Sequence, residues 1–369
     1  MSVPSHNMNT SEKSHRMRGT LKIFGAALDP LSSPERLNLK LAYINFTNKH
    51  PDVDKNSDPY DVMRKFLIKE MPSLNRNVWF GKLEIESWLT PKPKFEHIKL
   101  LNSETFSNFL RRNGCWDYAL RVSNYVNKKI LPSIPVMIGV DHSLTGGVIM
   151  GLSKYYKKLN VIVLDAHFDA LQYQDVNPLS QLWLEGYCHS NRKPKKITYY
   201  ECGNFISYLI AKKIISPKNL WVLGIQDGIL ESWRAGSEHK KGERAQIEEY
   251  KSLVERGVHL ISKTDLVCEK FFLKLNGPIY LSIDMDVGSL SSIYSARFMN
   301  CFGLTRDEFI KTLYNLSRAF RKSGFPLVGL DIMETDIHLL EASKSCRYQD
   351  YSREIVRETF QAFFTNRLN

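Results

Sequence analysis

An apolar run in VIVLDAHFDA (161–170) leads straight into three ionisable side chains two residues apart: Asp165, His167 and Asp169. In an extended chain, residues at i and i+2 project to the same side, so these three can converge. Asp284 and Asp286 in SIDMD (282–286) share that spacing, and GVDHS (139–143) puts Asp141, His142 and Ser143 at the end of another apolar run. Four aspartates in one cleft repel, and without cations some of them must protonate. Two divalent ions would neutralise the cluster. Six candidate ligands (His142, Asp165, His167, Asp169, Asp284 and Asp286) supply carboxylate oxygens and two imidazoles but no thiolate, a set that suits Mn²⁺. Paired metals roughly 3.5–4 Å apart can share a water and acidify it, so the pattern predicts a two-metal hydrolase.

These residues need elements to position them. Short apolar runs that end abruptly in small or polar residues read as buried strands: 21–28, 134–140, 161–164, 220–225, 258–261, 278–283 and 326–330. Helical periodicity lies between them. In TRDEFIKTLYNLSRAFRKSG (305–324), Phe309, Leu313, Leu316 and Phe320 form one apolar stripe, and Gly324 follows as a stop signal. Strand alternating with helix predicts an α/β fold with a mainly parallel sheet covered on both faces. Ligands in such folds bind beyond the carboxyl ends of the strands, where three of these runs deliver His and Asp.

The chain has 369 residues, 43% hydrophobic and 24% charged, an ordinary globular balance. No internal repeat or low-complexity linker interrupts it after about residue 20. Residues 1–20 read as a flexible polar tail and 21–369 as one domain, with the Pro-, Asp- and Lys-rich region 50–100 forming surface insertions. No apolar run approaches the roughly 18 residues that span a bilayer, and the first twenty residues lack the apolar core of a secretion signal. A cytoplasmic location without membrane attachment is expected. Six scattered cysteines with no CxxC pair fit reduced thiols. Net charge is +12, with basic runs at 154–158, 191–196 and 238–244. They read as solvated faces, because no aromatic-interleaved basic motif points to nucleic acid.

In order and spacing, GVDHS (139–143), DAHFD (165–169), SIDMD (282–286) and GLDIMETD (329–336) resemble the arginase–agmatinase (ureohydrolase) family, and FGAALD (24–29) is similar to that family's first strand and turn. The resemblance covers about residues 20–369. It implies a three-layer α/β/α fold with a binuclear manganese centre, Ni²⁺ or another divalent ion being the alternative. Asp165 and Asp284 would bridge the two metals, His142 and Asp169 would complete one site, and His167 and Asp286 the other. Asp169 would also hydrogen-bond a bridging hydroxide. Glu334 would hold the substrate guanidinium through a charge-assisted contact. The implied reaction is hydrolysis of a small guanidino substrate to urea and an amine, by a homo-oligomer (trimer or hexamer).

The match departs from the family pattern in four places. Val140 replaces a glycine in GVDHS, and the proline-containing continuation after Asp286 is replaced by VGSLSS. The family's proton-transferring histidine has Cys202 (ECGNF, 201–205) in its place, with His189 (YCHSN) as an alternative donor. Ile229 in GIQDGILE (224–231) stands where arginases carry an acid for the α-amino group, and Asp227 matches a motif aspartate. Agmatine, which lacks the α-carboxylate, is therefore favoured. Arginine, guanidinobutyrate, guanidine and formiminoglutamate are alternatives on the same fold. A formimino substrate would need a cation for its carboxylates, and Arg297 is the candidate. A catalytically weak metal-binding paralogue is the reading from another class.

Overall fold

The computed structural model describes residues 20–30, 33–50, 57–74, 76–171, 173–174, 195–196, 199–226, 228–236, 241–269, 271–342 and 349–368. Its strands are β1 (Leu21–Ala26), β2 (Trp79–Lys82), β3 (Ile134–Gly139), β4 (Asn160–Leu164), β5 (Tyr173–Gln174), β6 (Lys195–Lys196), β7 (Leu220–Ile225), β8 (His259–Ser262), β9 (Ile279–Asp284) and β10 (Leu327–Met333). Eight of them form one sheet in the order β2-β1-β3-β10-β9-β4-β7-β8, every pair parallel. The short β5 and β6 form a separate antiparallel pair.

Both faces of the sheet are buried, as the near-continuous apolar runs require. Along β4, Val161 and Val163 pack into one core with Val122, Val148 and Phe205. Their neighbours Ile162 and Leu164 point the other way, into a second core with Met63, Phe309, Leu313 and Phe360. Helices cover each face, giving the three-layer α/β/α arrangement. Local chemistry sets the helix ends. Thr305 caps the helix Arg306–Ser323 in a reciprocal capping box with Glu308, and Gly324 closes it in the left-handed conformation at φ 75°. All four predicted stripe residues of that helix are buried.

Region 50–100 does more than decorate the surface. Asp58 and Asp61 form a capping box for the helix Pro59–Glu70, whose Met63 and Leu67 are wholly buried, and Trp79–Lys82 adds an edge strand to the main sheet. Part of the Asp and Lys density that suggested loops belongs to this helix, with Asp58 and Asp61 at its start and Lys69 in its last turn. Among the described residues, no helix is long and apolar enough to cross a membrane. Residues 1–19 lie outside the described residues, as do His189 and Asp227.

Candidate metal centre

Four contiguous strands in the middle of the sheet, β3, β10, β9 and β4, end on the same side and deliver the site. Beyond β3, Asp141 Oδ1 accepts from Ser143 N at 3.1 Å and so turns the chain to present His142. Beyond β4, Asp165 Oδ1 accepts from His167 N at 2.7 Å, and Asp169 takes a left-handed backbone at φ 45°. At the end of β9, Asp284 Oδ1 accepts from Asp286 N at 2.9 Å. Gly224 in β7, at φ 101°, lets this assembly close: a Cβ there would meet Val287 at 2.7 Å and Asp165 O at 3.1 Å.

The side chains form two nests. In the first, His142 Nδ1 lies 2.9 Å from Asp284, 3.0 Å from Asp169 and 3.2 Å from Asp165, in each case the Oδ2 atom. In the second, His167 Nδ1 lies 3.0 Å from Asp286 Oδ2 and 3.7 Å from Asp165 Oδ1. Asp165 thus belongs to both nests, whereas Asp284 converges with the first. The His142 pocket is fully buried, while the His167 side chain is 54% exposed, so solvent reaches the centre from the second nest.

Whether this donor set fits cations can be judged from its polar atoms. His142 Nδ1 and Asp165 Oδ2 are buried and make no hydrogen bond among the described residues. Atoms that need partners and point at one another without hydrogen-bond geometry suit a shared cation. The acids respond accordingly. Burial, then the charge of Asp165, pushes Asp169 up to about 7 and Asp286 up to about 6. Burial and the charges of Asp286 and Asp165 also raise Asp284. Burial would raise Asp165 too, but the two histidines outweigh it and hold it below the usual carboxylate range. Burial would lower both histidines, yet Asp284 and Asp286, respectively, lead the interactions that raise them. Metal-free, the crowding favours the protonated forms of Asp169, Asp284, Asp286 and both histidines.

A second layer aims His142. Its Nε2 is 2.9 Å from Ser282 Oγ, which donates to Asp331 Oδ1 at 2.6 Å. Thr145 Oγ1 donates to Asp331 Oδ2 at 2.7 Å, and Tyr280 Oη donates to the same oxygen. With the Ser282 hydrogen committed to Asp331, this network assigns the imidazole proton to Nε2 and leaves the Nδ1 lone pair for the nest.

Glu334 follows β10 in a left-handed backbone at φ 57°. Its Oε1 accepts from His142 N at 3.0 Å, and its buried Oε2 has no hydrogen-bond partner among the described residues. Cys202 gathers with Asp141 and Glu334. Burial and the neighbouring acids push its thiol well up, so it stays protonated, and the lowered pKa that would make it a proton carrier is not found. Arg297, far from being a free surface cation, is buried: Nη1 donates to Asp141 Oδ2 at 2.7 Å, Nη2 donates to Pro30 O at 2.6 Å, and the fork pairs with Asp29 at 3.2 Å and Glu334 at 3.6 Å.

A family model described as the arginase family matches residues 107–346, well over half of the chain. The chain belongs to the arginase family. The agmatinase of Bacillus subtilis (strain 168) is 25% identical over 203 residues, covering 54% of this chain and 54% of that protein. The chain therefore spans about half the length of that curated relative. Arginase from Bacillus caldovelox superposes with a TM-score of 0.51 at 16% identity, covering 94% of this chain and 98% of that one. Formimidoylglutamase from Bacillus subtilis subsp. subtilis str. 168 gives 0.54 at 15% identity, covering 93% and 86%. These likenesses show a shared fold.

Members of the arginase family depend on a binuclear metal centre, and the two nests are this chain's candidate for one. All six sequence-predicted ligands come together there, and Glu334 stands beside His142. Two contributors, Asp331 and Ser282, escaped the sequence reading, although a carboxylate and a hydroxyl inside apolar strands left a signal. Arg297 was named there as a cation for substrate carboxylates, and nothing local marks it as buried.

Proposed function

We propose that this arginase-family chain is a metal-dependent amidinohydrolase that cleaves a small guanidino substrate to urea and an amine, agmatine being favoured. The observation that carries this reading is the pairing of two nests through Asp165, with the unpartnered Oε2 of Glu334 alongside. His142, Asp165, Asp169 and Asp284 would hold one ion, and Asp165, His167 and Asp286 the other, with Asp284 as the expected second bridging ligand. The oxygen-rich set favours Mn²⁺, with Ni²⁺ or another divalent ion as the alternative. When bound, the ions supply Lewis acidity and an acidified water.

The chain's own residues do the rest. Glu334 accepts a hydrogen bond from the substrate guanidinium and fixes the planar carbon at the mouth of the nests. Asp169, which the resemblance places beside the acidified water, would accept a hydrogen bond from it and relay the proton that the departing amine needs. Cys202, kept neutral, lines the pocket and moves no proton. The engaged fork of Arg297 makes that residue a poor candidate for a formimino substrate's carboxylates. We read the protein as a cytoplasmic homo-oligomer, trimer or hexamer, by family resemblance.

The test is a product assay on the Mn²⁺-loaded chain, offering agmatine, arginine, guanidinobutyrate, guanidine and formiminoglutamate side by side and scoring urea and formamide. Urea from agmatine in excess over the others is the expected result. Silence on all five from fully metallated protein would sink the hydrolase reading in favour of a non-catalytic metal-binding paralogue.

A further inference from the structure

A left-handed backbone is strained at a glutamate and persists only where the surroundings over-determine it. At Glu334 the surroundings are three contacts. Its N donates to Val140 O at 3.1 Å, its Oε1 accepts from His142 N at 3.0 Å, and its carbonyl accepts from Arg297 N at 2.6 Å. Two of these come from the chain beyond β3, and the third comes from the loop after Asp286, where Ala296 also bridges Thr335.

The Arg297 side chain joins these segments a second time. One nitrogen serves Asp141, between Val140 and His142, and lies beside Glu334 Oε1. The other serves Pro30 O and Asp29, beyond β1. Asp29 is itself flanked by Lys40 and Arg36, so the fork is anchored at its far end. A planar guanidinium reaches these sites simultaneously, which the compact ammonium of lysine does not. Engaging Oε1 from two directions leaves Oε2 as the open oxygen of Glu334.

We propose that Arg297 is a positioning residue for Glu334: it pins the backbone and one oxygen of that carboxylate, so that a single oxygen, Oε2, meets the guanidino group of the substrate. This inference rests on the hydrolase reading for the identity of the substrate, and on geometry alone for the pairing.

The test is a double-mutant cycle with Arg297→Lys, Glu334→Gln and the double variant, each full-length and Mn²⁺-loaded. Bound metal is counted, and kcat and KM for agmatine are separated. Metal content should stay at the native level in all four proteins. KM should rise about tenfold or more in R297K with kcat within about threefold, and the double variant should be no worse than E334Q alone, because residues acting as a unit are non-additive. An unchanged KM in R297K, effects that multiply, or loss of metal from R297K would each overturn the proposal. If the native protein releases no urea, the hydrolase reading fails by itself and the cycle is read on thermal midpoints. Non-additive shifts then uphold the positioning role, and additive ones overturn it. Should R297K not fold, Asp29→Asn, which removes only the far anchor, replaces it with the same readings.

Discussion

Asp165 turns one oxygen toward His142 and the other toward His167, while Asp286 serves only the second nest. Their replacements should therefore differ. Asp165→Asn should abolish binding of both ions. Asp286→Asn should empty the second nest and leave about one ion per chain in the first, because removing one carboxylate ligand weakens only the site it serves. Elemental analysis after gel filtration distinguishes the two variants, and equal losses would dismiss the idea of two nests joined through one side chain. The cluster of candidate ligands was legible in the sequence because i, i+2 spacing after an apolar run is a local pattern. Arg297 was not. Its neighbours Asp29, Asp141 and Glu334 are more than thirty residues away along the chain, and a loop arginine in SARFMN looks the same whether it is solvated or buried.

Strand register carries the second layer. Ser282 stands opposite Asp331 across the β9–β10 pair and opposite Val163 across the β4–β9 pair, so the Asp331–Ser282–His142 chain runs across adjacent strands. Truncation at Ser282 should leave the sheet intact but free the imidazole to rotate or change tautomer. We expect Ser282→Ala to weaken Mn²⁺ binding by about 10–100-fold, the usual range for an outer-shell partner, with the metal-free unfolding transition little changed. A titration followed by calorimetry checks this, and native affinity would show that His142 is held in other ways. Seven of the eight strands of the main sheet were visible as apolar runs, with no end shifted by more than three residues and 220–225 coinciding with β7. The missing one, β2, is four residues long at the sheet edge with only Trp79 buried, so it has little apolar pattern to reveal.

The whole molecule feels the crowded acids through its pH dependence. Asp169 and Asp286 are raised from an ordinary 3.8 to about 7 and about 6, so the metal-free native state binds protons more tightly than the unfolded chain. Stability then falls as pH rises through that window. The raised His142 and His167 act with the same sign, contributing below about 6.5 and losing that contribution as pH climbs. Mn²⁺ replaces the protons and should reverse the trend, since metal competes best where protons leave. Melting curves with EDTA and with excess Mn²⁺ at about pH 5.5 and pH 8 should diverge, the gap being larger at the higher pH. Parallel curves would remove the case for a proton-held apo cluster.

Two backbone details carry an evolutionary consequence. Asp169 and Glu334 both occupy conformations that glycine adopts at no steric cost. Both also place an acid where other acids already crowd. Heat tolerance alone, acting on this chain without need of its chemistry, would drive these positions toward small, uncharged residues. On the proposed hydrolase reading, descendants that abandon the reaction should drift first at 169 and 334.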